Sequence, residues 1–164
     1  ENCRATSRLP MRTHPESHRV GSLLVALQFS LIAALIALAM PVFASGRAPA
    51  GAWLLALGGL LLVGWAFFCN RPGNFNIHPA PRAGGRLVRH GPYRWVRHPM
   101  YTAVFCCALS SAWASPSRWG WLGAAALVGV LATKARLEER WMVEAHADYA
   151  DYQTRTWRFV PGLY

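Results

Sequence analysis

A chain of 164 residues is about one domain by length. It is 54% hydrophobic and only 15% charged, and its 17 Lys and Arg against 7 Asp and Glu give a net charge of +10. Nucleic-acid modules spread basic residues over a soluble face, but here long stretches carry no charge, so no nucleic-acid partner is expected; the apolar content also excludes disorder. The four cysteines, Cys3, Cys69, Cys106 and Cys107, have no CxxC spacing and read as small core residues, not a disulfide scaffold. What remains is a small all-α integral membrane protein whose partner is the lipid bilayer.

Residues 1–19 are a basic tail without pattern, in which Met11 is a candidate start. Residues 20–43 form an uncharged run of 24, reaching about 36 Å as a helix, enough for a bilayer core of about 30 Å. A secretory signal is disfavoured, because the run is too long and Phe43-Ala44-Ser45 is a weak cleavage site. Residues 51–68 are a second uncharged run. Residues 100–114 and 119–133 are 15 each and, broken by Ser115-Pro116-Ser117-Arg118, are predicted to form a short helical hairpin. If these four spans alternate, 15 of the 17 basic residues fall on one side, which predicts cytoplasmic termini and a cytoplasmic loop over 69–99. Trp53, Trp65, Trp113, Trp119 and Trp121 lie near run ends, as an aromatic belt requires. Residues 20–164 are thus read as one membrane domain.

Chemistry is left to the 69–99 loop and the 134–164 tail. The loop is dense in Pro and Gly as far as Gly84-Gly85, which read as a turn. Pro99 suits the first turn of the third span, where its missing N–H costs nothing, and this sets Arg97 and His98 at a helix mouth. Free N–H groups there favour an anion. Spacing alone favours the blander reading, a basic cluster meeting lipid headgroups with Arg94 and Arg97 as anchors.

The tail is predicted to continue the fourth span as a helix over residues 134–146, and five of the seven acids lie between 138 and 151. Adjacent helix residues point about 100° apart, so one of Glu138 and Glu139 is expected to face the bundle and the other outward. Lys134, Glu138 and Met142, and Arg140 with Glu144, follow i,i+4 spacing, which in an isolated helix reads as a salt-bridged surface. The histidines include one i,i+4 pair, His14 and His18, but no HExxH or Cys/His ligand spacing, and no metal site is expected. There is no GxGxxG, Walker loop or GxSxG.

Taken together, Leu87-Val88-x-x-Gly91-Pro92-Tyr93-x-x-Val96-Arg97-His98-Pro99-x-Tyr101, the pair Glu138-Glu139, and Tyr149-x-x-Tyr152 followed by Arg158-Phe159-x-Pro161 resemble the isoprenylcysteine carboxyl methyltransferase family and its phospholipid methyltransferase relatives. The likeness is to a bacterial-type member, covers residues 70–164, and departs from the family at Ala103, where a glycine is frequent. It implies an inner-membrane methyltransferase that uses S-adenosylmethionine without a Rossmann domain. It also implies that Leu87, Val88, Gly91, Tyr93, His98, Pro99, Tyr101, Glu138 and Glu139 hold the cofactor, one glutamate pairing with the methionine ammonium. Arg97, His98 and Tyr101 then stand nearest the reaction, Arg97 facing the methionine carboxylate or an acidic acceptor.

Methyl transfer from a sulfonium needs alignment and desolvation more than acid–base groups, which suits helix ends at a membrane edge. The implied acceptor is membrane-associated or small and lipophilic, with a carboxylate of the isoprenylcysteine type among the candidates. Two other readings compete: a non-catalytic scaffold that binds anionic lipid through its basic loop, and an NADPH-dependent relative of the intramembrane sterol reductases, for whose larger bundle this chain is short.

Overall fold

The computed structural model describes residues 15–70 and 87–163. The stretches 1–14, with Cys3, Met11 and His14, and 71–86, with His78 and Gly84-Gly85, lie outside the described residues. Among the described residues the chain forms five α-helices and one short 3-10 turn. In order these are α1 (Pro15–Ala44), α2 (Ala50–Cys69), the 3-10 turn (Gly91–Arg94), α3 (Pro99–Ala114), α4 (Arg118–Ala145) and α5 (Tyr149–Thr154). The described residues contain no strand, only an isolated parallel bridge between Val96 and Trp157.

Local sequence explains the helix boundaries. α1 closes with Gly46 at φ +69°, while Gly46 N–H donates to Phe43 (3.0 Å) and Arg47 N–H to Val42 (3.2 Å), the paired bonds of a Schellman cap. Pro99 opens α3, as its spacing predicts. At the start of α4 the Ser117 hydroxyl accepts from Trp119 N–H at 3.3 Å. α4 runs unbroken for 28 residues, so the predicted continuation of its apolar part into a polar helix is observed.

α2 packs on α3, α1 on α4, and α3 on both α1 and α4. The core is built from Leu35, Ala108, Ala112, Ala124, Leu127 and Leu131, whose small members let the backbones approach. At Gly59 a Cβ would come within 2.9 Å of the Ala103 carbonyl oxygen and 2.7 Å of Cys107 Sγ, so only glycine admits this α2–α3 spacing. Cys69, Cys106 and Cys107 are free thiols, half-buried.

The outside of the bundle is apolar. Leu23, Leu54, Leu60 and Leu61 are exposed, as is Phe68 at 82%, an apolar surface of the extent that marks a membrane or partner contact. Two helices are long and apolar enough to cross a membrane, Arg19–Ala44 and Ala50–Cys69, and only 17% of each apolar stretch is buried in the protein. The core helix of a soluble protein would be mostly buried. The five tryptophans near the helix ends are all exposed.

Candidate active site

Three parts of the chain meet at one end of the bundle: the first turn of α3, the polar part of α4, and the chain end after α5. The chain end is laid beside residues 95–98 by main-chain bonds. Trp157 N–H donates to Trp95 (2.9 Å), Arg97 N–H to Trp157 (2.8 Å) and His98 N–H to Arg158 (3.1 Å). The Thr102 hydroxyl donates to the Phe159 carbonyl at 2.7 Å. Phe159 is buried with its ring 5.8 Å from His98 and 5.0 Å from Phe105. A strand-like strap thus closes over the start of α3, although no strand forms.

Glu139 is the hub. Its Oε1 accepts from Arg97 Nε at 2.8 Å and lies 3.1 Å from His98 Nε2. Its Oε2 accepts from Arg158 Nη2 at 2.7 Å and from Gln153 Nε2 at 3.3 Å, and Arg158 Nε reaches both oxygens at 3.2 and 3.1 Å. The carboxylate side chain is only 5% exposed. Burial by itself pushes this carboxyl up, but the hydrogen bonds from His98, Arg158 and Arg97 outweigh it and hold the group well below the ordinary carboxylate range.

Glu138 has a different environment. The Tyr101 hydroxyl donates to its Oε1 at 2.5 Å, and His98 Nδ1 lies 3.5 Å from its Oε2. Burial raises its pKa, against the opposing effects of His98, Tyr101 and Lys134. The expectation that one glutamate faces outward is therefore corrected: both face the bundle, at 19% and 5% side-chain exposure. The reason is the His98 ring, which stacks on Tyr101 (centroids 5.3 Å apart, planes 3° from parallel) and presents one nitrogen to each carboxylate. One imidazole between two neighbouring helix positions bridges the roughly 100° that separates them.

Two further expectations from spacing are corrected. Arg97 is not a lipid anchor: its side chain is 10% exposed, and besides Glu139 it donates to the carbonyls of Gln153 (3.1 Å) and Thr156. Arg94, by contrast, is exposed. Lys134 is not on a salt-bridged surface but is buried, with Nζ 3.1 Å from Gln28 Oε1 of α1. Isolated-helix spacing identifies neighbours along one helix and is blind to what packs across it.

The structure brings Arg97, His98, Tyr101, Glu138 and Glu139 into one cluster, with Pro99 buried at the start of α3. Tyr93 is buried alongside; its carbonyl accepts the Tyr152 hydroxyl at 2.6 Å, and its own hydroxyl bonds to the Asn70 side chain. Gly91, at φ +61°, lies against Cys69 and Trp65 at the end of α2, and Leu87 and Val88 are half-buried where the segment begins. Sequence reasoning did not assign a site role to Arg158, Gln153 or Gln28. Arg158 lies in the Arg158-Phe159-x-Pro161 stretch of the resemblance, which was the available signal. Gln28 is one polar residue in an apolar run, and only packing reveals its use.

An all-helical bundle with apolar flanks and a buried charge cluster at one end defines a class of helical membrane protein with a polar site at the ends of its helices. Residues 47–149, more than half of the chain, match the phospholipid methyltransferase family. The chain belongs to that family of membrane methyltransferases, which includes the isoprenylcysteine carboxyl methyltransferases. A search of curated proteins finds no match.

Proposed function

We propose that the protein is an S-adenosylmethionine-dependent methyltransferase whose donor is held between the first turn of α3 and Glu138. The observation that carries this reading is the inequality of the two glutamates. A carboxylate offers about four lone-pair sites. Those of Glu139 are filled by Arg97, His98, Arg158 and Gln153, whereas Glu138 receives only the Tyr101 hydroxyl and a longer contact from His98. Glu138 thus retains capacity for a cationic ligand, and the donor set fits a methionine ammonium. His98, Pro99, Tyr101, Tyr93 and the backbone around Leu87, Val88 and Gly91 complete the cofactor's surroundings in this reading. Arg97 positions Glu139. When bound, the cofactor supplies an activated methyl group on a sulfonium.

The acceptor in this reading is membrane-associated or small and lipophilic, and a carboxylate of the isoprenylcysteine type is favoured. Both ring nitrogens of His98 face carboxylates. An amine acceptor needs a base to lose its proton; a carboxylate needs none, and no uncommitted imidazole nitrogen is offered at the cluster. The fold reading that accompanies this is four spans, α3 and α4 forming the short hairpin, with the cluster and both termini on the cytoplasmic side of an inner membrane.

Thermal unfolding of the detergent-solubilised protein tests the cofactor: S-adenosylhomocysteine should raise the midpoint and NADPH should not. Transfer of labelled methyl in membranes tests the acceptor. Label released by mild alkali marks an ester, and alkali-stable label overturns the carboxylate assignment.

A further inference from the structure

Lys134 is the buried cation that the cluster's hydrogen bonds leave aside. It is 2% exposed, one helical turn before Glu138 on the same face of α4. Arg97 and Arg158 are committed to Glu139. Among the described residues, Lys134 makes no ion pair within 4.0 Å; its Nζ is instead 3.1 Å from Gln28 Oε1 and 5.4 Å above the centroid of the Tyr101 ring. The same Tyr101 donates its hydroxyl to Glu138. A buried ammonium costs several kcal/mol unless it is compensated. Here compensation comes from three directions: an amide oxygen, an aromatic face, and the carboxylate one turn on.

Gln28 is itself 8% exposed and lies in the uncharged stretch of α1 that follows Arg19. α1 also lies outside the stretch that matches the methyltransferase family. An element beyond the matched region therefore reaches the cluster through one amide, and Lys134 is the residue it reaches.

We propose that Lys134, held in place by Gln28 of α1, is a positioning residue that keeps the Glu138 carboxylate ionised and the Tyr101 hydroxyl turned onto it. The ammonium acts on Glu138 along the helix face and on Tyr101 through its ring. The groups that face Glu138 are Tyr101 and His98 from the start of α3, Tyr93 from the 3-10 turn, Tyr149 from α5, and Lys134 and Glu139 from its own helix. Of these, Lys134 is the lysine of the cluster, and its ammonium is bonded to an amide and not to another carboxylate. Removing it leaves a desolvated carboxyl beside an anionic neighbour, Glu139, and such a carboxyl takes up a proton at higher pH. The consequence for donor binding rests on the methyltransferase reading above; the Gln28–Lys134–Tyr101–Glu138 chain of contacts does not.

The test is an infrared titration of the unliganded full chain in lipid nanodiscs. The C=O band of the protonated Glu138 carboxyl is assigned by its loss in Glu138→Gln. In Lys134→Met the titration midpoint should rise by about one pH unit or more, and in Gln28→Leu it should rise in the same direction. Lys134→Arg, which keeps the charge, should titrate like wild type. An unmoved midpoint in Lys134→Met and Gln28→Leu overturns the proposal, as does a Lys134→Arg midpoint raised as far as that of the Met variant. If Lys134→Met does not fold, Gln28→Leu and Lys134→Arg decide between the same outcomes. Because no cofactor is present, a wild-type protein that fails to bind S-adenosylhomocysteine sinks the methyltransferase site without touching this result.

Discussion

Arg97 and Glu139, 42 residues apart in the chain, meet with Nε 2.8 Å from Oε1, and this contact ties the start of α3 to the polar end of α4. His98, Arg158 and Gln153 add themselves to the same carboxylate. Removing one member of a buried ion pair strands the others and costs roughly 3–5 kcal/mol. Glu139→Ala should therefore lower the thermal midpoint in detergent strongly, read by loss of helical circular dichroism. A midpoint within experimental scatter of wild type would mean that the hub does not hold the site together.

Glu138→Gln should behave oppositely. The variant keeps an acceptor for Tyr101 but loses the charge. Hydrogen bonds to charged groups contribute about 1.5–3 kcal/mol, which corresponds to roughly a 10–150-fold loss of affinity. Titration calorimetry with S-adenosylhomocysteine should show that loss, while the thermal midpoint stays near wild type. Equal binding by both proteins would remove Glu138 from the cofactor site.

Acid should act on the two glutamates with opposite sign. The folded pKa of Glu139 is held below its unfolded value of about 4.3. Its contribution to stability is therefore complete above that value and lost as the pH falls through the folded pKa. Thermal midpoints should decline below about pH 4, with a flatter acid limb in Glu139→Gln. Glu138 is shifted upward, so it disfavours the folded state as the pH rises through its folded pKa. Affinity for S-adenosylhomocysteine should accordingly fall on acidification while the fold is still intact. Coincident loss of binding and fold would contradict the division of roles.

Arg158 grips Glu139 with two nitrogens, Nε and Nη2, from a chain end laid beside residues 95–98 by main-chain bonds. Lys presents a point charge instead of a fork. Arg158→Lys should keep part of the stability and Arg158→Ala should lose more, ordered by thermal midpoint. The same midpoint for Lys and Ala would show that charge without geometry contributes nothing here.

Gly91 combines a positive φ of +61° with a Cβ position that overlaps Cys69 Sγ. Left-handed backbone costs an alanine roughly 1–2 kcal/mol before any clash. Gly91→Ala should lower the midpoint, and Gly91→Ala with Cys69→Ala should recover only the steric part. Full recovery in the double variant would show that the backbone conformation carries no cost.

Much of this protein follows from the order of its residues. Long uncharged runs make helices whose flanks suit lipid, and Pro99 starts α3 where its missing N–H is free. The Arg97-His98-Pro99-x-Tyr101 stretch and Glu138-Glu139 point to a shared site through their resemblance to a methyltransferase family, whereas their spacing alone favours a lipid-facing basic cluster and a salt-bridged helix surface. Helical spacing could not say that both glutamates turn inward, since that depends on a His98 ring supplied by another helix. Nor could it separate a saturated Glu139 from an open Glu138, or find Lys134 buried against Gln28, 106 residues away. Charge and periodicity are carried by each segment alone. Which lone pairs are filled, and which charges are buried, is decided only when α1, α3, α4 and the chain end pack together.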